Sequence, residues 1–177
     1  MESNMKILLY IASQLFGTCG FIVSLIAYHR KTKKKILNNM VLSNSLKLMH
    51  YLLLGAYSGC ITKVLAILRD SFIIKKEKNP KLSKQIYLYI FIILYILASI
   101  ITYNGIFSLL PLLAAFIYFI FVWNGNEFKI KKVGFLTNFL WLAYNIYILS
   151  IVGIISYIIS TISTYIALTN YKKGENK

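Results

Sequence analysis

Seven apolar runs, at about 7–28, 36–57, 60–74, 85–103, 106–123, 134–150 and 153–171, fill most of the 177-residue chain, and short polar clusters separate them. They lack the wide polar face that a water-facing helix carries. At about 1.5 Å of rise per residue, about twenty residues cross a hydrocarbon core, so the pattern predicts seven membrane-spanning helices, the third of them short. Only "SGC", "NG" and "IVG" separate three of the pairs, turns too small to hold a domain. "KNPKLSK" breaks the chain at Pro80, and Ser83 is placed to cap the fourth span. Pro111 falls inside the fifth run, where it would free a carbonyl and bend the helix, as a packing kink or a hinge.

Two runs carry polar residues in mid-span. "LSNSLKLMHY" at 42–51 and "LTNFLWLAYN" at 136–145 superpose on a displacement of 94 residues, matching Leu, Asn, Leu and Leu. The same displacement lays Gly59 on Gly153 and Ile61 on Ile155. Each decamer belongs to the second helix of a three-span group. The expected fold is therefore an all-α membrane protein of seven transmembrane helices, two parallel triplets joined by a linker. Its divisions are residues 1–76, 77–104 and 105–177.

Composition agrees with a membrane location. Hydrophobic residues make up 58% and charged residues only 14%, against about a quarter charged in soluble domains, and mean hydropathy is +0.67. The net charge of +15 invites a nucleic-acid reading. Its distribution excludes that: stretches 29–35, 75–84, 124–133 and 172–177 hold five, five, three and three of the twenty Lys and Arg. The opposite side holds Lys6 and Lys63, and Lys47 and Arg69 lie within spans. Sixteen against two is a positive-inside bias that predicts an outside N-terminus and a cytoplasmic C-terminus. The first run continues to Tyr28 with no A-x-A-like cleavage site, so it reads as a retained span. Cys19 and Cys60 form neither a metal-ligand spacing nor a disulfide framework.

"LWLAYN" resembles the L-W-x-x-Y-G signature of the SWEET and PQ-loop transporter superfamily, whose members are parallel-repeat proteins. Pro111 is followed by Leu112 rather than Gln, however, and the first span has no proline. A nearer likeness is to the bacterial inner-membrane protein family typified by YgjV, through "HYLLLGAYSG" at 50–59, Arg69, "SLLP" at 108–111 and "WLAYN" at 141–145. This likeness covers about residues 8–171. It implies a heptahelical protein of the bacterial cytoplasmic membrane, with SWEET-like architecture and no stated substrate.

Candidate chemistry follows from buried polarity. Lys47 lies eleven residues into its span, roughly 16 Å deep, too far to snorkel easily. Asn44 and His50 flank it by one turn, and Tyr51 shares the face. The uncharged copy offers Asn138, Trp141, Tyr144 and Asn145. These eight residues are the candidate substrate-binding set, and His50 could couple transport to protons. Arg69 and Asp70 are candidate charge partners. Neighbours on a helix point apart, so Asp70 is expected to reach toward Lys47 rather than pair with Arg69. One positive charge is then left over, to be balanced by an anionic or strongly hydrogen-bonding solute or by a deprotonated lysine.

Ser156, Ser160 and Ser163 read as close helix packing. No paired carboxylates, metal cluster or nucleophile constellation appears, so neither an enzyme, a metal nor a cofactor is expected. The expected partners are the lipid bilayer and a small polar or anionic solute, with a homo-oligomer left open. The leading expectation is a small-solute transporter, and the alternative is a structural or regulatory membrane protein whose polar residues join helices.

Overall fold

The structure is a computed structural model, and it describes residues 2–175. Seven α-helices follow one another: α1 (Glu2–Tyr28), α2 (Lys33–Leu53), α3 (Tyr57–Lys76), α4 (Gln85–Ile101), α5 (Leu110–Trp123), α6 (Glu127–Tyr147) and α7 (Ile151–Glu175). By length and composition, three stretches are fit to cross a membrane: Asn4–Tyr28, Ile106–Trp123 and Ile151–Tyr171. The run Gln85–Ile101 is apolar but shorter. Helices α2, α3 and α6 have 21, 20 and 21 residues, and they carry the mid-run polar groups.

Local chemistry explains the helix ends. Thr32 caps α2 by accepting from the Lys35 N–H at 3.4 Å, and Asn126 caps α6 by accepting from the Lys129 N–H at 3.1 Å. Both helices end in the same way. The Ala56 N–H returns to the Tyr51 carbonyl at 2.9 Å, and the Ser150 N–H to the Asn145 carbonyl at 3.0 Å. Each closure needs a left-handed residue just past the helix. Gly55 supplies it at φ 67°, whereas at φ 54° the chain uses Leu149, against the steric preference of a side chain.

These closures correct the turn positions expected from the pattern. The α2–α3 turn is Leu54–Ala56 rather than "SGC", and the α6–α7 turn is Ile148–Ser150 rather than "IVG". Helix α3 therefore begins at Tyr57 and is not short. Ser83 does not cap α4; Asn79 instead caps a 3-10 turn at Pro80–Ser83, accepting from the Lys81 N–H. Pro111 bends no helix. A 3-10 turn at Ile106–Leu109 leads into α5, and Pro111 sits in the first helical turn, where a missing N–H costs nothing.

Helices α1–α2–α3 pack in sequence, as do α5–α6–α7. Contacts of α1 with α7 and of α3 with α5 close the ring, and α4 packs on α3 and α5. Toward the basic loops, the centre is filled by Ile36, Leu37, Ile73, Phe119, Val122 and Ile130. Large apolar side chains such as Leu8, Leu15, Ile93, Ile100 and Ile162 point outward, while Asn44, Lys63, Arg69, Asp70, Asn138 and Asn145 are buried. That inside-out distribution suits a lipid solvent and not water.

Candidate functional site

The buried polar groups line a cavity of about 60 Å³, to which all helices except α4 contribute. Helix α2 supplies Asn44 and Lys47, α6 supplies Thr137, Asn138 and Trp141, and α3 supplies Thr62, Lys63 and Arg69. Helix α1 adds Ser24 and Tyr28, α5 adds Tyr118, and α7 adds Tyr157 and Ser160. Both decamers thus face one space.

Close backbone approach makes room for the lysine stem. A Cβ on Gly20 would meet Lys47 Cγ at 2.9 Å and the Ser43 carbonyl at 3.1 Å, so only glycine lets α1 and α2 pack this tightly. Lys47 Nζ donates to Ser24 Oγ at 3.1 Å and lies 5.4 Å from the Tyr157 ring centroid. Lys63 Nζ sits 3.4 Å from the Trp141 ring centroid, a close cation–π contact. Trp141 stacks on Tyr157 with ring centroids 5.8 Å apart, so both ammonium groups rest on one aromatic stack.

Arg69 and Asp70 pair with each other, contrary to the expectation from their adjacency. The long arginine stem folds back so that Nε donates to Asp70 Oδ1 at 2.8 Å. Asn44 Nδ2 donates to the other carboxylate oxygen at 3.4 Å. Arg69 also donates to the Tyr95 hydroxyl at 3.4 Å and stands 4.7 Å over the Tyr118 ring. No contact joins Asp70 to Lys47 among those the described residues make at salt-bridge distance.

Four of the eight candidate residues line the cavity: Asn44, Lys47, Asn138 and Trp141. The other four lie one turn further from the basic loops and are occupied with one another or with neighbouring helices. Tyr51 and Asn145 exchange hydrogen bonds at 3.3 and 3.1 Å. The Tyr144 oxygen accepts from the Gly59 N–H at 3.2 Å and shares a hydrogen bond with Ser58 Oγ at 2.8 Å. His50 ties α2 to α1 and to the α6–α7 turn: Nδ1 faces the Ser13 carbonyl at 2.7 Å, and Nε2 faces Ser150 Oγ at 3.0 Å. A carbonyl only accepts, so the ring proton sits on Nδ1.

Reading the sequence missed Lys63, Tyr118, Tyr157 and Ser160. The turn after α2 lies four residues earlier than the pattern predicts, which moves Lys63 from the expected outer side into the body of α3. The 94-residue displacement already aligned Lys63 with Tyr157 and Ser24 with Tyr118, and following it along the whole chain finds them. A second hollow, of about 500 Å³, lies at the end away from the basic loops, bounded in part by Ser58, Asn104, Ser108, Tyr144 and Tyr147. Tyr144 lines this hollow and packs edge-on against Trp141, with 6.1 Å between ring centroids, so this aromatic pair stands between the two spaces. Among the described residues, no three His, Cys, Asp or Glu side chains gather where they could hold a metal.

Apolar flanks, buried charge and a polar cavity between the helices define an all-helical membrane protein. A family described as "Bacterial inner membrane protein", Imp-YgjV, matches residues 11–175, and the chain belongs to it. Neither the curated proteins nor the solved structures include a match.

Proposed function

We propose that this protein is a small-solute transporter, with seven transmembrane spans arranged as two parallel triplets, residues 1–76 and 105–177, joined by a linker helix at 77–104. The observation that carries the proposal is a polar cavity faced by both decamers. Parallel-repeat transporters bind solute at the repeat interface near the midplane. Five pairs of lining residues differ by the same 94 positions: Ser24 and Tyr118, Asn44 and Asn138, Lys47 and Trp141, Lys63 and Tyr157, Ala66 and Ser160.

Contacts between the halves support the same symmetry. In a two-fold arrangement a residue meets its own equivalent only at the axis, and off-axis pairs occur twice. Tyr51 bonds Asn145, and the Lys33 N–H donates to Glu127 at 3.1 Å, each across 94 residues. The Lys47–Tyr157 contact becomes Trp141–Lys63 under the same exchange, and both contacts occur. With Lys63 counted inside a span, Lys6 alone opposes the sixteen basic residues of the loops, which strengthens the N-out, C-in assignment. The role needs no catalytic group or cofactor.

A second reading, a non-transporting protein, draws on the His50, Tyr51, Asn145 and Ser150 bonds that tie helices together. Reconstitution separates the two. Purified protein in proteoliposomes is tested for uptake of labelled small solutes, neutral and anionic. Saturable uptake that falls in Lys47→Met supports transport. Folded protein with no flux above empty liposomes, or full flux in both Lys47→Ala and Lys47→Met, overturns the assignment of transport to this site.

A further inference from the structure

The cavity has a one-sided chemistry. Its charged lining groups are all cationic, the ammonium groups of Lys47 and Lys63 and the Arg69 guanidinium, and the Tyr118 hydroxyl and the Asn138 amide nitrogen add neutral donors. Of the five acidic residues in the chain, only Asp70 falls inside an apolar run, and its two oxygens are taken by Arg69 and Asn44. Among the described residues neither Lys47 nor Lys63 makes a salt bridge, and Asp70, which acts on Lys63 only at longer range, is already held by Arg69 and Asn44.

Two buried donors are left without partners, the Tyr118 hydroxyl and Asn138 Nδ2, and their residues are 8% and 4% exposed. A buried polar atom without a partner costs about 1–3 kcal/mol, so two in one polar cavity call for a ligand that accepts. Space limits that ligand. One water needs roughly 10–15 Å³ of such volume, so about 60 Å³ admits a compact group and excludes a sugar or a lipid headgroup.

We infer that the cavity is a binding site for a small monovalent oxyanion, a short carboxylate or an inorganic ion of similar size. Its oxygens lie between Lys47 and Lys63 and accept from Tyr118 and Asn138. The aromatic stack holds both ammonium groups in place without neutralising them, as a carboxylate partner would. Arg69 contributes field more than contact, since Asp70 already occupies it. This inference rests on the transport reading for its purpose but not for its chemistry.

The test uses Trp141 as its own reporter. The chain has two tryptophans, and Trp123→Phe leaves Trp141 as the sole indole. The purified protein in nanodiscs is titrated with sodium acetate and sodium nitrate, with glycerol as a neutral probe. Sodium gluconate holds ionic strength constant and serves as a carboxylate too large for the space. The expected result is a saturable change in Trp141 emission with acetate or nitrate, and the stronger of the two names the subclass. Lys63→Gln and Lys47→Gln each weaken it by about tenfold or more. Tyr118→Phe, which removes only an unpaired hydroxyl and so keeps the fold, weakens it by about threefold to tenfold.

The inference is overturned by no saturable response to either anion, by an equal response to glycerol or gluconate, or by an anion affinity unchanged in Tyr118→Phe and both glutamine variants. Flux measured for the same variants in proteoliposomes keeps the two proposals apart. Anion binding without flux retains the site and removes transport. Flux of a neutral solute without anion binding retains transport and removes the anion.

Discussion

Asp70 is the most consequential acid in the chain, and removing its charge has a calculable effect. Its side chain is fully buried and that of Arg69 is 4% exposed, with 2.8 Å between nitrogen and oxygen. Asp70→Asn keeps the shape but leaves the guanidinium without its counter-charge, in a cavity that already holds Lys47 and Lys63. Breaking a buried pair from one side costs about 3–5 kcal/mol. For a chain of this size, each kcal/mol moves the melting temperature by about 2–4 °C, so the expected fall is about 6–20 °C. Heating the detergent-solubilised protein and following the folded peak by fluorescence-detected gel filtration reads this shift. Adding Arg69→Met should restore most of the loss, because an apolar replacement of both partners is often neutral. A shift of less than about 2 °C in Asp70→Asn, under 1 kcal/mol, would refute the buried pair.

Other substitutions test the packing and the proposed axis. Gly20→Ala drives a methyl into Lys47 Cγ and the Ser43 carbonyl, and it should cost about 1–3 kcal/mol in the same melting assay. Leu149→Gly relieves a left-handed backbone beneath a side chain that is 75% exposed, so it should raise the melting temperature, by relief of about 1 kcal/mol. Tyr51→Phe and Asn145→Leu should each destabilise by about 1–3 kcal/mol, and the double variant by clearly less than the sum. Strict additivity there would show that the two side chains do not meet.

The helical architecture was legible because apolar periodicity and basic loops leave strong marks in sequence. The proposed repeat rests in the sequence on one decamer pair, since Asn44 and Asn138 stand out among leucines. What stayed hidden depended on exact turn positions. Leu149 takes a conformation that favours glycine, so nothing in the sequence marked it as the end of α6. The glycine of "SGC" is as strong a turn signal as Gly55, so the pattern places the turn after α2 too late and Lys63 beside it rather than within α3. The Arg69–Asp70 pair was missed because helical spacing describes where Cβ atoms point, not where a long arginine stem can fold back. Tyr118 and Tyr157 carry no local signal within runs rich in aromatic residues; only their displacement onto Ser24 and Lys63 distinguishes them.

Accessibility of the cavity from both sides of the membrane tests the central claim most directly. With Cys19→Ser and Cys60→Ser removing the native thiols, Thr137→Cys places one thiol on the cavity wall. A membrane-impermeant thiol reagent is applied to right-side-out and to inverted vesicles. The transport account predicts labelling from both sides, slowed by the bound solute. A thiol that reacts from neither side until the protein is denatured, or from one side alone, would contradict it.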